Sequence, residues 1–251
     1  MYVPIALVIV YSFNLNRFSS MWSGFTFNWY RELFKDRSMF EALRNSLVLA
    51  TLTSLSAAII GTLGASGMVR LHLTNGSKRK FVQASGKVME YLSILPIMMP
   101  EIILGMTFLA FFSLLSLPFG ILTLLIAHTA FCVPYVYLLV RARLAGLDKN
   151  YFEAARIMGA SDLRAFYDIT LPLVLPAVIS GMLIAFSMSF DDVIVSVFVA
   201  GVHTNTLPMK IYSQIKTGVT PKTNAMCTLI FLLTVILCLF AAALSRRQRK
   251  R

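Results

Sequence analysis

Charge is scarce in this 251-residue chain. Only 14% of its residues are Asp, Glu, Lys or Arg, whereas soluble domains carry about 25%. Long stretches hold no charge at all, and the mean hydropathy is +0.74. An ordinary soluble globule is thereby excluded, and a bilayer is the expected solvent. Cysteine is nearly absent. Cys132, Cys227 and Cys238 stand singly in apolar runs, without a C-x-x-C pair or metal-ligand spacing. They read as small apolar residues, and no metal site is expected. His72, His128 and His203 are far apart in sequence and read as solvated or packed. Neither a Ser-His-Asp nor a Cys-His constellation can be argued from this sequence, and there is no phosphate-binding G-x-x-x-x-G-K-[ST] loop. Residues 75–78 (NGSK) lack its upstream glycine. An enzyme, and a nucleotide-hydrolysing one in particular, is not the expected reading. Residues 1–13 lack a charged leader followed by a cleavage site, so a signal peptide is not expected there. The chain carries no internal repeat, no low-complexity tract and no separate soluble domain.

What is present is apolar length. A helix crossing the hydrocarbon core needs about 20 apolar residues. Residues 46–69, 88–115, 119–140, 173–200 and 225–244 meet that length. Residues 1–13 are apolar but would reach only ~20 Å at 1.5 Å per residue. Either residues precede Met1 or this helix begins inside the membrane. The expectation is one all-α membrane domain over residues 1–251, with six transmembrane helices. Lys and Arg fix its expected orientation. Fifteen lie in the loops 70–87 and 141–172 and in the tail, against eight in the other loops. The first set is placed in the cytoplasm, with both termini. The net charge of +12 then reflects topology, not nucleic acid. The terminal RRQRKR reads as an anchor against anionic lipid. Of the opposite loops, 25–45 reads as lying along the outer interface or supporting the next span, the first being preferred, and 206–223 as holding a short helix between its prolines.

The loop 148–172 is amphipathic. Tyr151, Phe152, Ala155 and Met158 recur at spacings of three and four. Gly159 suits a left-handed helix end, Ser161 an N-cap, and Pro172 the stop of a second short helix over 162–169. Periodicity alone fits a loop lying on lipid equally well. The residues decide otherwise. Glu153, Ala154, Ala155, Gly159, Ile169, Leu171 and Pro172 spell E-A-A-x3-G-x9-I-x-L-P. At every position this resembles the EAA loop of ABC-importer permeases. The stretches SFDDVIVSVF (189–198) and LPMKIYSQIKTGV (207–219) are similar to the spermidine/putrescine branch of that family, specifically its second permease subunit.

The resemblance implies a type I ABC-importer permease fold in a bacterial inner membrane. It implies that residues 148–172 form a coupling helix seated in a cleft of a cytoplasmic ATPase. Glu153, Ala154, Ala155, Gly159, Ser161, Leu171 and Pro172 would carry that coupling, with Glu153 pairing in the cleft and Gly159 allowing the turn. The implied partners are a second homologous permease, two ATPase subunits, a periplasmic polyamine-binding protein and membrane lipid. The implied cargo is spermidine or putrescine. No cofactor would bind this chain; ATP and Mg2+ would belong to the partner ATPase. The first helix departs from the family pattern, because the cytoplasmic segment before it is missing.

Three carboxylates stand in apolar surroundings: Glu101, Asp191 and Asp192. Charges in hydrocarbon cost at least ~2.5–3.5 kcal/mol and usually face protein or water. Glu101 follows Pro96 and Pro100, which can break a helix beside a cavity. Ser189, Asp192 and Ser196 form one polar stripe, and Ser187 and Asp191 a neighbouring one. Acidic groups and hydroxyls without basic partners suit the passage of a protonated amine chain. Alternatively, the aspartates cap a broken helix or lie hydrated near span ends. Rival functions are a permease for a ferric ion or another organic cation, a stand-alone ion-coupled secondary transporter, and a non-transporting scaffold.

Overall fold

The computed structural model describes residues 2–17, 21–73, 91, 94–148, 151, 155, 157–202 and 204–248. Among these there is no strand, only an isolated bridge between Asn14 and Phe25. The named helices are α1 (Tyr2–Tyr11), α2 (Asn28–Lys35), α3 (Arg37–Leu73), α4 (Glu101–Leu114), α5 (Ile121–Ala145), α6 (Asp162–Ala165), α7 (Leu171–Asp191), α8 (Ile194–Val199), α9 (Leu207–Thr217) and α10 (Pro221–Gln248). Within them, Arg37–Gly67, Ile121–Ala145 and Leu163–Asp191 are long and apolar enough to cross a membrane. Tyr2–Tyr11, Glu101–Leu114 and Pro221–Ile236 are shorter apolar helices.

Three expectations from hydropathy need correction. Residues 37–45 do not lie apart as an interfacial segment; they are the first turns of α3. Asp36 caps that helix, its carboxylate accepting from Ser38 N–H at 3.1 Å and Met39 N–H at 3.2 Å, so the helix starts well before the apolar run. The segment 88–115 does not read through as one helix. Pro100 is extended at ψ 135°, and its carbonyl accepts from Leu104 N–H at 3.0 Å, so α4 begins at Glu101. The segment 173–200 is two helices, interrupted at Asp192, which is extended at ψ 130°.

The chain forms two compact units, Met1–Leu43 with Met209–Arg251, and Arg44–Pro208. In the first, α10 packs on α1 and α2. Asn14 closes the turn after α1, its amide donating to Met21 O at 2.8 Å while its carbonyl accepts from Trp29 Nε1 at 2.6 Å. Asp36 pairs with Lys222 at 2.5 Å. Burial alone would raise the Asp36 pKa, but the Lys222 bond and charge, Ser38 and Met39 N–H prevail and lower it from 3.8 to about 2.

The second unit is built round α5, which packs chiefly on α7 and also on α8, while α8 packs on α4. Its core runs through Leu124, Ala127, Phe131, Val136 and Val140 of α5, with Val174, Val178 and Ala185 of α7 and Val195 and Val199 of α8. Val136 is seated between two glycines. A Cβ on Gly61 of α3 would stand 2.9 Å from Val136 Cβ, and one on Gly181 of α7 would stand 3.1 Å from Val136 Cα. Apolar burial gives no preference for helix over lipid, so backbones that approach this closely supply the packing instead.

Candidate functional site

The loop between α5 and α7 folds as its local sequence dictates. Gly159 has φ +81°, in the left-handed region. Ala160 N–H donates to Ala155 O at 3.0 Å, the six-to-one bond that closes a Schellman helix end. Ser161 then caps α6, its hydroxyl accepting from Arg164 N–H at 3.3 Å. Glu153, Ala154 and Phe152 lie outside the described residues. Ala155 is buried, but Tyr151 and Met158 are exposed, so the apolar stripe does not face one surface of this chain. Instead Ile157 and Met158 (87% and 86% exposed) stand out with Leu163 and Tyr167.

Pro172 does not stop a short helix, as its type suggested. After α6 the chain passes through a π-helical turn, Phe166–Thr170, straight into α7. Leu171 N–H donates to Phe166 O, five residues back. The wider turn shifts the ladder by one residue just where Pro172 has no N–H to give. The loop is thus continuous with the long α7, in one helical rod from Asp162 to Asp191.

At the far end of that rod lies the second cluster. Asp192 breaks the helix and turns inward. Its Oδ2 accepts from Ser196 N–H at 2.8 Å and from the Ser196 hydroxyl at 2.7 Å; its Oδ1 accepts from Val195 N–H at 3.3 Å. It therefore caps α8, the bland alternative read from sequence. His128 of α5, wholly buried, joins it at 3.4 Å through Nε2. The same Nε2 is 3.1 Å from Ser196 Oγ, and Nδ1 is 2.8 Å from Ser189 Oγ. Ser196 gives its one proton to Asp192, so toward His128 it accepts, which places a proton on Nε2. A neutral imidazole then accepts from the Ser189 hydroxyl at Nδ1.

Of Glu101, Ser189, Asp191, Asp192 and Ser196, the residues read from sequence as a substrate path, the structure brings three together. Ser189, Asp192 and Ser196 share one network, with both serines buried. Asp191, the last residue of α7, is exposed, as is Glu101 at the first turn of α4, where its charge complements the positive helix end. His128 was missed. Its partners lie 61 and 68 residues away, and a lone histidine in an apolar run carries no local sign of them. The only available hint was a polar stripe in 189–196 lacking any basic partner nearby in sequence.

Residues 73–251 match the family described as the inner membrane component of binding-protein-dependent transport systems. The spermidine/putrescine transport system permease protein PotC of Haemophilus influenzae is 37% identical over 99% of this chain and 93% of its own length. The putrescine transport system permease protein PotI of Escherichia coli is 36% identical over 100% of this chain and 88% of its own. Among solved structures, a bacterial ABC transporter importing alginate superposes with TM-score 0.70 at 14% identity, over 96% of this chain and 90% of that one. The methionine transporter MetNI gives 0.60 at 17%, over 82% and 95%. At such identities these two speak for the fold alone.

Proposed function

This chain belongs to the family of inner membrane components of binding-protein-dependent transport systems, and on that premise we propose that it is the permease subunit of an ATP-driven importer of spermidine and putrescine. The carrying observation is identity of 36–37% to polyamine permeases along the entire chain. Similarity confined to the family's shared loop would support transport but not this cargo. Six spans, with both termini and the 148–172 loop in the cytoplasm, account for the six apolar helices found among the described residues and for the basic loops. The partners are a second permease, two ATPase subunits that bind ATP and Mg2+, and an outer polyamine-binding protein. This subunit performs no chemistry itself.

The mechanism is mechanical. Closure of the ATPase pair on ATP moves the cleft holding the loop. Glu153, Ala154, Ala155, Gly159, Ser161, Leu171 and Pro172 form the coupling element. Ile157, Met158, Leu163 and Tyr167 offer the apolar surface that docks. Because α6, the π turn and α7 form one rod, a push at the loop is delivered along α7 to the break at Asp192. There, and at Glu101, carboxylates line the route of the cation. Exposed Asp191 and Glu101 are the acceptors. A sparse set of charges suits passage, since dense charge would trap a polycation. The test is copurification of the full complex, reconstitution with the binding protein, and measurement of ATPase stimulation by spermidine, putrescine and ferric ion. Stimulation by ferric ion alone refutes the cargo, and transport by the chain without ATP refutes the class.

A further inference from the structure

The bend between α7 and α8 is held by a side chain on another helix. The partners of His128 flank the break on both sides: Ser189 in the last turn of α7, Asp192 at the break, and Ser196 in the first turn of α8. One buried imidazole therefore ties both half-helices to α5. Adjacent residues of a continuous helix point ~100° apart and would both turn with the helix. Here the extended backbone of Asp192 separates the pair instead. Asp192 is drawn in and saturated by α8 and His128, while Asp191 ends α7 exposed.

We propose that His128 is a positioning residue for transport: by clasping Ser189, Asp192 and Ser196 it fixes the bend, keeps Asp192 as a structural cap, and leaves Asp191 as the carboxylate of the pair presented to the cationic substrate. This rests on the reading above that the acidic pair borders a polyamine route. Removing the imidazole strands the buried Ser189 hydroxyl and takes a donor from Ser196 Oγ and from the Asp192 carboxylate, and each unsatisfied buried group is expensive. The bend then relaxes toward hydration or continued helix, and Asp191 moves with it. The outer binding protein captures the substrate, so displacement of Asp191 acts on the maximal rate and not on the half-saturating concentration.

The experiment is uptake of radiolabelled spermidine by proteoliposomes holding the whole complex, normalised to assembled complex. Expected is a roughly tenfold lower maximal rate for His128→Leu with unchanged half-saturation. His128→Gln, which keeps a donor toward Ser196 and Asp192, stays within about twofold of wild type. It also serves if the leucine variant fails to assemble. Asp191→Asn is expected to lower the rate similarly, and His128→Leu added to it to lower the rate no further. Losses that multiply overturn action through Asp191. Full-rate uptake by His128→Leu beside a slow Asp191→Asn overturns the positioning role alone. Full-rate uptake by Asp191→Asn overturns the reading of the acidic pair, and this assignment with it. Independently of transport, thermal shifts of His128→Leu and Asp192→Asn are expected to be less than additive in the double variant. Simple addition overturns the clasp.

Discussion

Replacing Gly61 with alanine tests whether close backbone approach holds α3 against α5. A Cβ there would stand 2.9 Å from Val136 Cβ, 3.0 Å from Val136 Cγ1 and 3.0 Å from Tyr137 N. Carbon atoms prefer about 3.5–4.0 Å. One opposing atom is backbone and another is a Cβ, so rotamer change cannot relieve the clash and the helices must part by several tenths of an ångström. Overpacking of this kind costs about 1–3 kcal/mol. Alanine returns about 1 kcal/mol of helix propensity, leaving a net loss of roughly 1 kcal/mol. Gly67→Ala is the control. Nothing lies within 4 Å of its Cβ, so only the propensity gain remains. Thermal unfolding of the protein in detergent, followed by a thiol-reactive dye on buried Cys132, reads the core near Val136. Cys227 and Cys238 are changed to serine for this purpose. The expected order of Tm is Gly67→Ala, then parent, then Gly61→Ala. Trimming Val136 to alanine removes only the Cγ1 contact and leaves those to its Cβ and to Tyr137 N, so the double variant should exceed the sum of the singles by a small margin. A Gly61→Ala protein as stable as Gly67→Ala would refute the packing argument.

Gly159→Val should leave the protein inserted but separate ATP hydrolysis from uptake, because a β-branched residue is strained at φ +81°. Gly159→Asn, which tolerates that conformation, should retain coupling, and normal polyamine uptake by the valine variant would count against the coupling role. Glu101→Gln should lower polyamine flux at unchanged membrane abundance; unaltered kinetics would remove Glu101 from the route. The Asp36–Lys222 pair makes stability depend on pH. The folded pKa of Asp36 is depressed from 3.8 to about 2, so its contribution is full above 3.8 and is lost as pH falls toward 2. That depression corresponds to about 2 kcal/mol. Asp36→Asn should therefore be less stable than wild type at pH 6, with the gap in unfolding closing toward pH 2. A gap that persists at pH 2 would contradict the linkage.

The sequence by itself determined the solvent, the class of fold and the local turns. Apolar length and scarce charge specify membrane helices whatever their neighbours. Gly159 and Ser161 do their work on backbone groups within five residues, so their roles are written locally. The E-A-A pattern likewise fixed the family before any coordinate. The sequence did not disclose that Pro172 lies inside a continuous rod, because proline's local preference is to end a helix and only the π turn lets the ladder pass it. The break at Asp192 was legible only as one alternative, aspartates capping a broken helix, because hydropathy runs on unbroken through 173–200. Tertiary structure alone decided the partners of His128, the inward turn of Asp192 and the seat of Val136 between Gly61 and Gly181. The reason is physical. A buried polar group must find partners wherever packing puts them, and close helix contact depends on which faces meet. Both are settled by groups far apart in the chain, which no local pattern records.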